Sequence, residues 1–180
     1  YPIGNYTQRA LRSNIAIFPS FSKILRRLDK LISEDVVRWL LEPENPSMRY
    51  RTMVELLGKP PEDHEVMECK RQIPESIPVK ALLSEMHPDG YWLQKHQRTG
   101  RMLGDGVEYG PFGTTHYCLS YLAELGMDKT NPQVAKAAER YLDLQKEDGD
   151  FYRHFSCLLG LNIRTFVMLG YENDSRVKKS

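Results

Sequence analysis

An Asp-Gly turn with an aromatic residue two places later occurs twice, as Asp89-Gly90-Tyr91-Trp92 and Asp148-Gly149-Asp150-Phe151. Each copy follows an amphipathic, helix-like stretch, Leu82-Leu83-Ser84-Glu85-Met86 and Tyr141-Leu142-Asp143-Leu144-Gln145. Glycine enters positive φ without steric cost and Asp bonds its own backbone, so the step reverses the chain cheaply. The aromatic can then fold back onto the helix end. A pattern that recurs in this way marks a repeat architecture, and repeats set the fold before any single motif does.

A second pattern recurs three times. Arg51–Gly58, Leu119–Gly126 and Asn162–Gly170 each read as a helix ending in glycine. After each comes an acidic or Asn-rich link and then a valine: Val66, Val134 and Val177. The implied unit is helix, glycine stop, short link, second helix and Asp-Gly-x-aromatic corner. Helix starts are signposted as well. Ser33 precedes Glu34 and Asp35, Asn45-Pro46 and Asn131-Pro132 pair a cap with proline at the first helical position, and Asp63 precedes a helix running to Ile73. Phe21 to Ile32 follows helical spacing, whereas residues 1–20 show no clear period and read as a tail or docking arm.

These patterns predict an all-α fold in which helical hairpins over residues 21–180 form part of an (α/α) toroid. Helical spacing over Thr114–Leu125 predicts burial of Cys118, Tyr121, Leu122 and Leu125, and Leu158–Leu169 reads as apolar nearly all round. Residues 87–113 break the period with six glycines and read as a functional loop. The third unit stops at Asp174–Ser180, where its second helix begins. A repeat stack cut there predicts an open apolar end, a longer parent chain or self-association through that end.

Helical hairpins closed by Gln-x-x-x-Gly-x-aromatic resemble the repeats of the terpenoid cyclase and protein prenyltransferase superfamily, in which squalene–hopene cyclases carry "QW" motifs. Gln145, Gly149 and Phe151 match the motif, and Met86, Gly90 and Trp92 match it with Met in place of Gln. The resemblance spans roughly residues 33–180 and implies a toroid around an apolar cavity that handles an isoprenoid or a similar substrate. The superfamily's two chemical signatures, Asp-x-Asp-Asp and Asp-x-Cys, do not occur in the sequence. The alternative is a non-catalytic helical-repeat module for a protein partner.

Several residues could carry chemistry. Asp105 and Glu108 form an acidic pair able to act as a general acid if dried by their surroundings. Lys95, Arg98 and Arg101 could hold a diphosphate, with the Gly-rich loop as a lid. Tyr109, Phe112, Tyr117 and Tyr152 belong to an aromatic group that would either line a cavity or fill a core. His116, Cys118, His154 and Cys157 are two His/Cys pairs with zinc-compatible chemistry, or else small core thiols beside capping imidazoles. The resemblance adds that the segment from Asp150 is similar to the one carrying a prenyltransferase zinc His, with Arg153 at that place and His154 one residue later.

A formal charge of +1 gives no electrostatic reason to expect nucleic acid or an anionic membrane as partner. No apolar run reaches membrane-spanning length. Three widely spaced cysteines fit reduced thiols and a cytoplasmic setting.

Overall fold

The computed structural model describes residues 33–106, 112–151 and 156–180. The expected tail over 1–20 and the helix over Phe21–Ile32 lie outside them. The chain is mostly helical, with eight α-helices among the described residues. It divides into two compact units between Ser76 and Ile77, inside the stretch expected to be one run of repeats.

The first unit holds α1 (Glu34–Leu40), α2 (Pro46–Arg51) and α3 (His64–Gln72). Ser33 caps α1 by accepting from Val36 N at 3.4 Å, Asn45 caps α2 through Met48 N at 3.1 Å, and Asp63 caps α3 through Glu65 N at 2.9 Å. Each side chain satisfies an amide that the first turn of a helix leaves without an internal acceptor. Helix α2 runs on into a π-turn over Thr52–Leu56, where Leu57 N reaches back to Thr52 O at 2.9 Å. Met53, Val66 and Cys69 form the core, covered by Leu41, Tyr50 and Val54. The Cys69 thiol donates to Pro46 O at 3.1 Å and so ties α3 to the start of α2.

The second unit contains α4 (Ile77–Ser84), α5 (Thr115–Glu124), α6 (Pro132–Leu142), α7 (Ser156–Met168) and α8 (Ser175–Lys179). Helix α5 packs against α4, α6 and α7, and α8 packs on α7. Both α5 and α7 end in the same glycine stop. Gly126 N donates to Ala123 O at 2.9 Å and Met127 N to Leu122 O at 2.9 Å; Gly170 N donates to Val167 O at 3.0 Å and Tyr171 N to Phe166 O at 2.9 Å. This pair of bonds occupies carbonyls that a helix end otherwise leaves unmet, and the residue after each glycine is buried. Asn131 and Asp174 then cap α6 and α8, accepting from Val134 N at 3.1 Å and Arg176 N at 2.8 Å. Val134 and Val177 are both buried.

The two Asp-Gly corners share one hydrogen-bond pattern. His87 N donates to Tyr91 O at 2.8 Å and Gly90 N to His87 O at 2.8 Å; Lys146 N donates to Asp150 O at 2.8 Å and Gly149 N to Lys146 O at 3.0 Å. The aromatics fold inward as the sequence suggests. Trp92 is 2% exposed and its Nε1 donates to Leu82 O at 2.7 Å. Phe151 is 1% exposed and stacks with Tyr141 and Phe166 at centroid distances of 5.5 and 5.9 Å. The glycines are demanded twice over, by backbone shape and by space. Gly90 has φ +85° and Gly149 has φ +89°, and a Cβ on Gly149 would meet the Lys179 carbonyl oxygen at 2.6 Å. Gln145 secures the same contact, donating from Nε2 to Arg176 O at 2.7 Å and Ser180 Oγ at 2.6 Å.

Three expectations need correction. The fold is not purely helical: Gln94–Lys95 and Met102–Leu103 form a small antiparallel ribbon, in the register Gln94 opposite Leu103 and Lys95 opposite Met102. Tyr121 is 39% exposed and Leu125 only half-buried, because the face of α5 that carries Tyr121 has no helix packed on it in full. Helix α7 is not buried all round, since Cys157, Gly160, Arg164 and Val167 form an exposed stripe. Among the described residues no helix is long and apolar enough to cross a membrane.

Candidate functional site

The long loop is organised by its ribbon. His96 N donates to Arg101 O and Gly100 N to His96 O, each at 2.8 Å, and Thr99 leans on His96 Nδ1. Alternation along the strands turns the half-buried Gln94 and Leu103 one way and the exposed Lys95 and Met102 the other. Lys95, Arg98 and Arg101 all lie on this ribbon or its turn and are exposed. Asp105 follows the ribbon and is also exposed, its backbone carbonyl accepting from Arg140 Nη1 at 2.8 Å. A carboxyl so placed stays hydrated and lacks the dry setting that general-acid chemistry requires. Glu108, Tyr109, Tyr152 and His154 lie outside the described residues.

A chain of aromatic rings leads from solvent towards the core of the second unit. Phe112, 75% exposed, meets the half-buried Tyr117 at 4.9 Å between ring centroids. Tyr117 meets His116 at 4.1 Å and Tyr121 at 6.3 Å. His116 is 2% exposed and lies 6.4 Å from the ring of Tyr141. The α5 start explains this arrangement. Consecutive residues on a helix point about 100° apart, so Tyr117 can skirt the surface while His116 turns inward.

His116 has an unusual environment. Its Nδ1 lies 3.4 Å from Thr114 Oγ1, while its buried Nε2 has no hydrogen-bond partner among the described residues. Burial pushes its pKa down to about 4, so the ring is neutral at neutral pH. Two further buried polar atoms without partners among the described residues lie on the neighbouring helix, Asn162 Nδ2 and Thr165 Oγ1. The sequence reading passed over both. Their signal was two uncharged polar residues three places apart, which puts them on one face, while Arg164 between them points elsewhere.

Of the His/Cys set, His116, Cys118 and Cys157 lie among the described residues. The Cys118 thiol donates to Gly113 O at 3.4 Å and is pushed up to about 12, first by burial and then by Glu85. Cys157 is exposed on α7. His116 and Cys118 are two residues apart on a helix and so diverge. Among the described residues no three His, Cys, Asp or Glu side chains stand where one metal ion could be held. His154, the fourth residue of the set, lies outside the described residues. No protein-family model matches this chain, and no curated protein or solved structure matches it either.

Proposed function

We propose that the second unit belongs to a toroid of the terpenoid cyclase and prenyltransferase kind and holds an apolar, isoprenoid-like molecule against the aromatic face of α5. The observation that carries this reading is the ring series Phe112–Tyr117–Tyr121, which keeps aromatic surface in water beside a buried imidazole. Exposed aromatic area of this kind is costly in a monomer and is a frequent mark of a binding face. The matched corners around Gly90 and Gly149, and the matched stops at Gly126 and Gly170, support the repeat on which the toroid reading rests. The basic ribbon would meet any phosphate that such a molecule carries.

The test is a thermal shift with farnesyl and geranylgeranyl diphosphate. A ligand bound by the native state alone raises the melting temperature by mass action. A shift that disappears in Tyr117→Ala is expected, and absence of any shift with both compounds and with farnesol would refute the proposal. The second reading, a module for a protein partner, is favoured by Trp39 and Val36, exposed one turn apart on α1 at 63% and 43%. It predicts a larger species in sedimentation that Trp39→Ala abolishes.

A further inference from the structure

We infer that His116 of α5 and the Asn162–Thr165 face of α7 form a polar recess that binds the uncharged hydroxyl end of an apolar chain lying along Tyr117. This rests on the apolar-ligand reading above and makes it specific.

His116 Nε2, Asn162 Nδ2 and Thr165 Oγ1 each sit on a side chain no more than 3% exposed, and among the described residues none has a hydrogen-bond partner. Buried polar groups are nearly always satisfied, so each calls for an occupant. The three are carried by helices that pack on one another. A ring on α6 approaches both helices. The ring of Tyr141 lies 6.4 Å from His116 and 6.1 Å from Phe166, and Phe166 is one turn beyond Asn162 on the same face.

The chemistry of the occupant follows from the donors. Asn162 Nδ2 can only donate. His116 Nε2 donates or accepts according to tautomer, because the Thr114 hydroxyl on Nδ1 suits either form. Thr165 Oγ1 does both. A hydroxyl satisfies every combination, since it accepts two bonds and donates one. A phosphate does not suit the recess: it needs positive charge, and the imidazole there is neutral in its buried setting. The path inward is aromatic, from exposed Phe112 through Tyr117 to His116. That path matches an apolar chain ending in an alcohol.

The experiment compares farnesol with farnesyl diphosphate on the full chain, read by thermal shift and by the 15N resonances of the His116 ring. Farnesol is expected to raise the melting temperature and to move the Nε2 resonance. His116→Phe, which keeps an aromatic ring without the nitrogen, is expected to weaken farnesol binding about tenfold, the scale of one lost hydrogen bond. Equal farnesol binding by His116→Phe, or an unmoved Nε2 resonance at saturation, would overturn the inference and leave water as the occupant. If His116→Phe does not fold, the resonance in the unaltered protein decides. Binding of the diphosphate without farnesol would defeat this inference and spare the broader reading; binding of neither would defeat both.

Discussion

Replacing Gly149 by alanine should cost the second unit about 2–5 kcal/mol. Two penalties add. Alanine at φ +89° pays about 1–2 kcal/mol for the left-handed backbone. Its Cβ would also stand 2.6 Å from the carbonyl oxygen and 3.2 Å from the carbonyl carbon of Lys179. Those atoms are main chain, so the end of α8 must move and lose the seat that Gln145 gives it; overpacking of this sort costs about 1–3 kcal/mol. A domain of this size loses about 4–8 °C of melting temperature per kcal/mol, so a fall of about 10 °C or more is expected in a calorimetric scan. Gly160→Ala supplies the control. It adds the same methyl group to the exposed middle of α7, where a Cβ meets nothing within 4 Å. There alanine should stabilise by about 0.5–1 kcal/mol through its better helix propensity. Opposite signs for the two variants are required. If Gly149→Ala melts with the unaltered protein or above it, the corner geometry and the α8 contact built on it are wrong.

Trp92→Phe keeps an aromatic in the first corner but deprives Leu82 O of its indole donor, and should cost about 1–3 kcal/mol by urea denaturation. Asp174 accepts from Arg176, whose guanidinium also meets Glu139 and Asp143 of α6 at 2.6 Å each; that bond holds the Asp174 carboxyl down at about 2. Its folded value lies below its unfolded one, so its contribution is whole above about pH 4 and lost as pH falls through 2. Asp174→Asn should flatten urea midpoints across that window by about 1 kcal/mol once solvent screening is allowed for. Iodoacetamide should label exposed Cys157 in the native protein and spare Cys69 and Cys118, whose thiols burial pushes upward; mass spectrometry reads the sites, and prompt labelling of Cys118 would contradict its packing.

What could be read from the residues was what short-range chemistry decides. Ser33, Asn45, Asp63 and Asn131 announce helix starts because each satisfies amides two or three residues away. Gly126 and Gly170 announce helix ends because their bonds close within five residues. Trp92 and Phe151 go inside because the corners beside them leave few other directions. Long-range packing settles the rest. Nothing local in Thr52–Leu56 separates a π-turn from an α-turn, and the ribbon pairs Gln94 with Leu103 across a loop whose glycines suit many shapes. Tyr121 obeys helical spacing for a core residue, yet it stays 39% exposed beside Tyr117. The same limit hid the recess: Asn162 and Thr165 look like ordinary helix residues until the helices beside them are placed. Lys95, Arg98 and Arg101 were legible as charges on one loop and are exposed there, while nothing local fixes where His116, Cys118 and Cys157 come to lie relative to one another.

The seat of α8 on the second corner has a bearing on synthesis. Gln145 finds its acceptor 31 residues further along the chain. During translation the Gln145 side chain therefore has only the local Gly149 carbonyl to meet until Arg176 and the residues after it have left the ribosome. The hairpins overlap like roof tiles, each weatherproofed by the one laid after it, and a chain stalled or clipped before Arg176 would leave the last tile lifted.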